Sequence, residues 1–121
     1  MKALHADHRE MIILWAFARF DVPAFVAASA AVAGVALLSL TLALIVKGAP
    51  PGIPVGPHLA QLATLFPGYS VSVGGAFIGG GYASLVGGAA GFIFAAFWNV
   101  VHSLVLSVVR VRANLAAYSI D

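Results

Sequence analysis

The sequence predicts an all-α membrane protein, a two-transmembrane helical hairpin, and three observations predict it. Hydrophobic residues make up 62% of the chain and charged residues only 8%, where an ordinary soluble domain carries about 25% charged. The mean hydropathy of +1.04 agrees. So few charges leave too little polar surface to coat a water-soluble core. Two apolar, uncharged runs, 22–46 and 71–109, are each long enough to cross a bilayer. Five of the six prolines lie in the connection between them, and proline stops a helix because it lacks the N–H that the helix interior requires.

At the N-terminal end, residues 1–7 form a short polar lead, followed by HREMIILWAFARF at 8–20. That run is apolar and aromatic but, at about 12 residues, too short to span. With Trp15 and Arg19 as anchors, it reads as an interfacial helix at the cytoplasmic surface, its rings at headgroup level. Asp21-Val22-Pro23 marks a break, since Asp is a good N-cap and Pro is tolerated in a first helical turn. A charged start before an apolar run also resembles a secretory signal. The run 22–46 exceeds the 7–15 residues of a signal core, so a permanent anchor is expected.

The first span, 22–46, has only Ser29, Ser39 and Thr41 as polar side chains and would extend roughly 37 Å. Ala27, Ala31 and Val35, or Ala30 and Gly34, give it a flat face. The connection 47–70 opens as a proline-stiffened loop, and Pro57 then starts a short helix over 57–66. Phe66-Pro67-Gly68-Tyr69 has Pro and Gly at the central positions of a type II turn, and Ser70 or Ser72 is placed to cap the next helix.

The second span is expected over 71–98. The full apolar run to residue 109 would be roughly 58 Å as one helix, about twice the hydrocarbon thickness, so part of it must leave the bilayer. Trp98, Asn99 and His102 mark the division, where interfacial residue types first gather. Beyond them Asn99, Ser103, Ser107, Arg110 and Asn114 recur at three-to-four spacing, an amphipathic continuation over 99–114. Lys2, Arg9, Arg19, Arg110 and Arg112 flank the two spans, against Lys47 alone in the connection. That bias places both termini in the cytoplasm and loop 47–70 outside.

The most specific pattern is a row of small residues in the second span. Gly75, Gly79, Ala83, Gly87 and Gly91 recur every four residues, and beside them run Gly80, Ser84 and Gly88. Each glycine costs a soluble helix about 1 kcal/mol relative to Ala, whereas in lipid small residues four apart let helices approach closely. These eight residues form the expected helix-packing face, with Pro67, Gly68, Tyr69 and Ser70 as turn and cap. The face is wide enough to serve the first span and a second neighbour, in a homo-oligomer or a larger membrane complex.

Other chemistry finds little footing. The chain has no cysteine, which excludes disulfides and thiolate sites. A net charge of +2 without a basic cluster gives no sign of nucleic-acid binding. His5, Asp7, His8 and Glu10 lie close in sequence, but the pattern is read as adventitious rather than as a metal site. His102 is the histidine nearest a span, and the first span offers it no second axial ligand. With Trp15, Arg19, Trp98, Asn99 and Arg110 it reads as an interfacial anchor. No acid or base lies inside either span, where one would be a default functional site. Neither catalytic residues nor a cofactor are expected; the partners expected are the lipid bilayer and other transmembrane helices.

From Lys47 onward the segments VGPHL, LFPGYSVS, GGAFIG with Tyr82 beyond it, and FWN at 97–99 resemble a family of small two-span bacterial inner-membrane proteins of unknown function. Members read like YFPGYSVSW-GAxIGxxYGFxxGF and end in a YN pair. Some carry a phage-holin label. The resemblance covers roughly residues 40–103, with Ala83 where glycine is usual and Trp98 where tyrosine is usual. It implies a bacterial inner-membrane location. Two functions are then in play: an accessory or structural subunit acting by helix packing, and a holin-like pore former. The tail 113–121, with a single acid and no base, lacks the charge common at holin C-termini.

Overall fold

The computed structural model describes residues 18–119. Among these the chain is all-helical, in the order α1 (Val22–Lys47), α2 (Pro57–Ala60) passing directly into a 3-10 turn (Gln61–Thr64), and α3 (Val73–Tyr118). Helices α1 and α3 are both long and apolar enough to cross a membrane. The described residues fall into two compact units, Val22–Ile93 and a second made of residues 18–21 with 94–119. Of the expected interfacial helix 8–20, all but the last three residues lie outside the described part.

Helix α1 starts directly after Asp21, with Pro23 in its first turn where no N–H is needed. It ends one residue past the expected boundary, at Lys47, whose charge suits the negative end of the helix dipole. The Gly48 N–H closes the last turn onto the Leu44 carbonyl at 3.0 Å.

The connection holds two turns of the same kind. Pro50-Pro51-Gly52-Ile53 is closed by an Ile53 N–H to Pro50 carbonyl bond of 3.1 Å, and Phe66-Pro67-Gly68-Tyr69 by Tyr69 N–H to Phe66 carbonyl at 3.0 Å. Each puts Pro at the second position and Gly at the third, where φ is 85° at Gly52 and 84° at Gly68. Those are the dihedrals of a type II turn, open to glycine and strained for other residues. The helix expected over 57–66 is α-helical only to Ala60 and winds into the tighter 3-10 form to Thr64. Pro67 accounts for the early end, because the residue before a proline is pushed out of the α region.

Of the two serines expected as candidates, Ser72 caps α3, which corrects the assignment of the cap to Ser70. The Ser72 hydroxyl accepts the Gly75 N–H at 3.0 Å, and its carbonyl accepts the first intrahelical bond, from Ala76, at 2.8 Å. The continuation expected over 99–114 shares one helical backbone with the span expected over 71–98. Helix α3 starts at Val73 and runs unbroken through Trp98 to Tyr118, 46 residues and roughly 69 Å. The sequence has neither Gly nor Pro from Phe92 to Tyr118, so nothing interrupts the backbone ladder. Ser103 and Ser107 hydroxyls bond back to the Asn99 and Ser103 carbonyls, each at 2.8 Å, which satisfies both groups within the helix. The interfacial residue types change what the side chains touch and leave the helix intact.

In the unit Val22–Ile93, burial falls on Gly34 and Thr41 of α1, on Tyr69, and on Gly75, Ala76, Gly79, Gly80 and Gly88 and Gly91 of α3. The core is therefore almost free of large side chains. Backbone meets backbone across it.

Candidate functional site

Residues four apart on an α-helix advance 400°, so a four-residue repeat makes a slowly turning row along one face. From Gly80 to Gly91 the small-residue row of α3 lies against α1. At Gly34 and Gly80 each glycine confronts the other's backbone. A methyl group placed on Gly80 would lie 3.3 Å from the Gly34 carbonyl oxygen, and one on Gly34 would lie 3.0 Å from that of Gly80 and overlap the Ser84 hydroxyl. Two helical turns on, a methyl on Gly87 would meet Ala33 Cβ at 2.5 Å and the Ser29 carbonyl at 2.8 Å. A methyl on Gly88 would touch Ala30 Cβ at 3.4 Å, and one on Gly91 would overlap the Ser29 hydroxyl. As the α1 position falls from Gly34 to Ser29, the α3 position rises from Gly80 to Gly91, so the two helices run antiparallel.

The first end of the row serves the connection instead. Gly75 lies under Ser70, whose backbone nitrogen would be 2.7 Å from a methyl placed there, and Gly79 lies under the ring of Tyr69 with Leu37 beside it. The sequence leads to a second neighbour on the same face. The structure fills Gly75, Gly79, Gly80, Gly87, Gly88 and Gly91 from within the chain, and Ala83 and Ser84 between them are half-buried. The glycines of α3 left open are Gly74 and Gly81, with nothing within 4 Å of a side chain built on either.

Tyr69 is the large side chain of this region, 3% exposed, and it occupies the volume that Gly79 gives up. Its hydroxyl lies 2.9 Å from Thr41 Oγ1, a residue fully buried on α1. Thr41 Oγ1 also lies 2.8 Å from the Leu37 carbonyl, to which it donates. A hydroxyl has one proton to give, so Tyr69 must be the donor to Thr41. The result is a directed chain from Tyr69 to Thr41 to the Leu37 carbonyl, with every polar group answered. The Phe66 ring stacks on Tyr82 of α3, centroids 5.2 Å apart and planes 2° from parallel. Pro67 and Gly68 form the turn that puts Phe66 and Tyr69 in these two places, and Ser70 adds a hydroxyl bond of 2.8 Å to the cap residue Ser72.

In the second unit, Asn99 grips the backbone just before α1. Its carboxamide oxygen accepts the Phe20 N–H at 2.9 Å, and its NH2 donates to the Phe20 carbonyl at 3.0 Å. The side chain thus imitates a strand neighbour for one residue. Trp98 donates its indole N–H to the Ala18 carbonyl at 3.3 Å. The Phe20 ring lies 5.7 Å from Trp98 and 6.0 Å from Phe94, tilted against each. Trp98 and Asn99 were expected as headgroup anchors; the structure brings them together as a clasp on residues 18–20. Asn99→Leu keeps the volume and loses both bonds, so amide exchange at Phe20 should speed up roughly tenfold, about 1.4 kcal/mol of local protection, measured by hydrogen exchange in detergent.

His102 is half-buried one turn past Asn99, while Arg19 and Arg110 are exposed. Trp15 and the cluster of His5, Asp7, His8 and Glu10 lie outside the described residues. Among the described residues no three His, Cys, Asp or Glu side chains gather into a group able to hold a metal ion. Thr41 and the pairing of Asn99 with Phe20 were missed by the sequence reading. Together these features define a class: an all-helical chain whose two long helices are apolar enough to cross a membrane and are packed through a glycine seam. No protein-family model, no curated protein and no solved structure matches the chain.

Proposed function

We propose that this chain is a small integral protein of a bacterial inner membrane that acts by helix packing, as a structural subunit of a membrane assembly, without catalysis. In this reading α1 and α3 cross the bilayer as a hairpin, with loop 47–70 outside and both termini in the cytoplasm, as the Lys and Arg distribution favours. The observation that carries it is the outer surface left once the glycine seam is closed. Val32, Val35 and Leu40 of α1 and Phe77, Ile78, Leu85 and Phe92 of α3 all stand exposed, while Ser29 and Thr41 bond to carbonyls of their own helix. That surface suits lipid tails and apolar helices. It offers no continuous polar stripe to line a water-filled pore. Because the small-residue row is occupied inside the chain, the assembly partner docks on this outer surface.

The test is extraction in a mild detergent followed by native mass spectrometry, alongside dye retention in vesicles carrying the purified protein. A discrete assembly of fixed stoichiometry and full dye retention are expected. Leakage that rises steeply with the protein-to-lipid ratio would replace this reading with the holin-like pore. A lone monomer under gentle extraction would remove the assembly role.

A further inference from the structure

The chain leaves α1 at Gly48 and returns to it at Gly56, where a side-chain carbon would lie 2.9 Å from Leu44 Cδ1. Between these points the connection is stiff. Prolines at 50, 51, 54 and 57 restrict its backbone, and the turn from Pro50 to Ile53 is closed by a hydrogen bond. Standing off the helix, this segment leaves an open cleft of about 360 Å³ at the end of α1, toward the small end of the range for ligand pockets. Leu44, Ile53, Pro54 and Leu59 give the cleft apolar walls, and Lys47 and His58 bring the polar side chains.

Lys47 is exposed, and no acid stands near it. Between Val22 and Ile120 the sequence holds neither Asp nor Glu. Asp21 precedes the far end of α1, a helix of 26 residues, so it lies roughly 39 Å away, several Debye lengths at physiological salt.

We propose that this cleft seats one anionic phospholipid, its phosphate against Lys47 and His58 and the start of its acyl chains along Leu44 and Ile53. The inference rests on α1 crossing a bilayer, as proposed above. Depth and charge complementarity select the occupant. A helix of roughly 39 Å outruns a hydrocarbon core of about 30 Å, so Lys47 comes level with the headgroups and their phosphates. Lysine binds phosphate as a point charge, and His58 adds a ring N–H donor. A zwitterionic lipid carries its own cation beside the phosphate and brings no net charge to Lys47. Free phosphate gains nothing from the apolar walls, whereas a lipid buries its first methylenes there.

The test is native mass spectrometry of the full-length protein in detergent, with dioleoyl phosphatidylglycerol and dioleoyl phosphatidylcholine added in equal amounts. One phosphatidylglycerol should stay bound, preferred about fivefold, as one lysine at a membrane surface provides. K47Q should bring the preference below about twofold, and K47R should keep it. R112Q, which removes an exposed cation from α3, should leave the parent's value unchanged. Inorganic phosphate in large excess should not displace the lipid. Equal binding of the two lipids by the parent, an unchanged preference with K47Q, or an equal fall with R112Q would overturn the proposal; displacement by inorganic phosphate would do so as well, in favour of a free phosphate. A protein that resists carbonate extraction from the membrane yet shows no preference overturns this inference alone. Release by carbonate removes the membrane reading and this inference with it.

Discussion

Gly87→Leu is expected to drive α1 and α3 apart. The first added carbon alone would lie 2.5 Å from Ala33 Cβ and 2.8 Å from the Ser29 carbonyl, where carbon atoms rest at about 3.5–4.0 Å. Neither neighbour is the far end of a flexible side chain, so the whole of α1 has to shift by about 1 Å before the rest of the leucine is accommodated. Such overpacking costs roughly 1–3 kcal/mol, or more. Replacing a helical glycine recovers up to about 1 kcal/mol of propensity, so alanine at this position is a near balance and leucine is a clear loss. The readout is a disulfide between A30C and G88C, positions whose β-carbons would lie 3.4 Å apart, within disulfide reach. It should form readily in the parent and at least tenfold more slowly with Gly87→Leu. Gly81→Ala, which meets nothing within 4 Å, should leave the rate unchanged. An undiminished rate with Gly87→Leu would mean that the seam does not set the helix separation.

The seam was legible because glycine in a helix is costly and a row of them needs a cause. Gly34 was legible as part of one of two flat faces on the facing helix; the other, Ala27, Ala31 and Val35, stands exposed. The Phe66–Tyr69 turn and the Ser72 cap were also readable, since Pro-Gly and a serine ahead of an apolar run carry local geometric preferences that tertiary structure did not override. What the sequence concealed is long-range pairing. Nothing near Thr41 distinguishes it from Ser29 or Ser39, and only the fold, 28 residues along the chain, supplies the Tyr69 hydroxyl. Asn99 meets Phe20 across 79 residues and had only its interfacial residue type to suggest a role. The width of the glycine face pointed to two neighbours because sequence cannot show that the connection itself, through Ser70 and Tyr69, occupies one end of it.

The direction of the Tyr69 to Thr41 hydrogen bond makes the second large effect an ordering of three variants. Tyr69→Phe removes the donor, yet Thr41 still gives its proton to Leu37, so the loss is one accepted bond, about 0.6 kcal/mol by the average for buried bonds in membrane helices. Thr41→Val keeps the shape on α1 and leaves the Tyr69 O–H, in a residue 3% exposed, with no acceptor. Stranding a buried donor costs about 1–3 kcal/mol, so this variant should be the worse of the two even though it too deletes a single hydroxyl. Tyr69→Ala empties the space above Gly79 and takes away the ring that holds the connection onto α3. A large-to-small change at a buried aromatic costs about 3–5 kcal/mol, the largest of the three. Detergent-denaturant unfolding, followed by the fall in the rate at which A30C and G88C form a disulfide on mild oxidation, should therefore rank them Tyr69→Ala, Thr41→Val, Tyr69→Phe in decreasing severity. The double variant carrying Tyr69→Phe and Thr41→Val should fall close to Tyr69→Phe alone, because with no tyrosine hydroxyl to strand the valine is nearly harmless. Reversal of the last two in the ranking would show that Thr41 donates to Tyr69, and equal effects of the two would show that the hydroxyls do not pair.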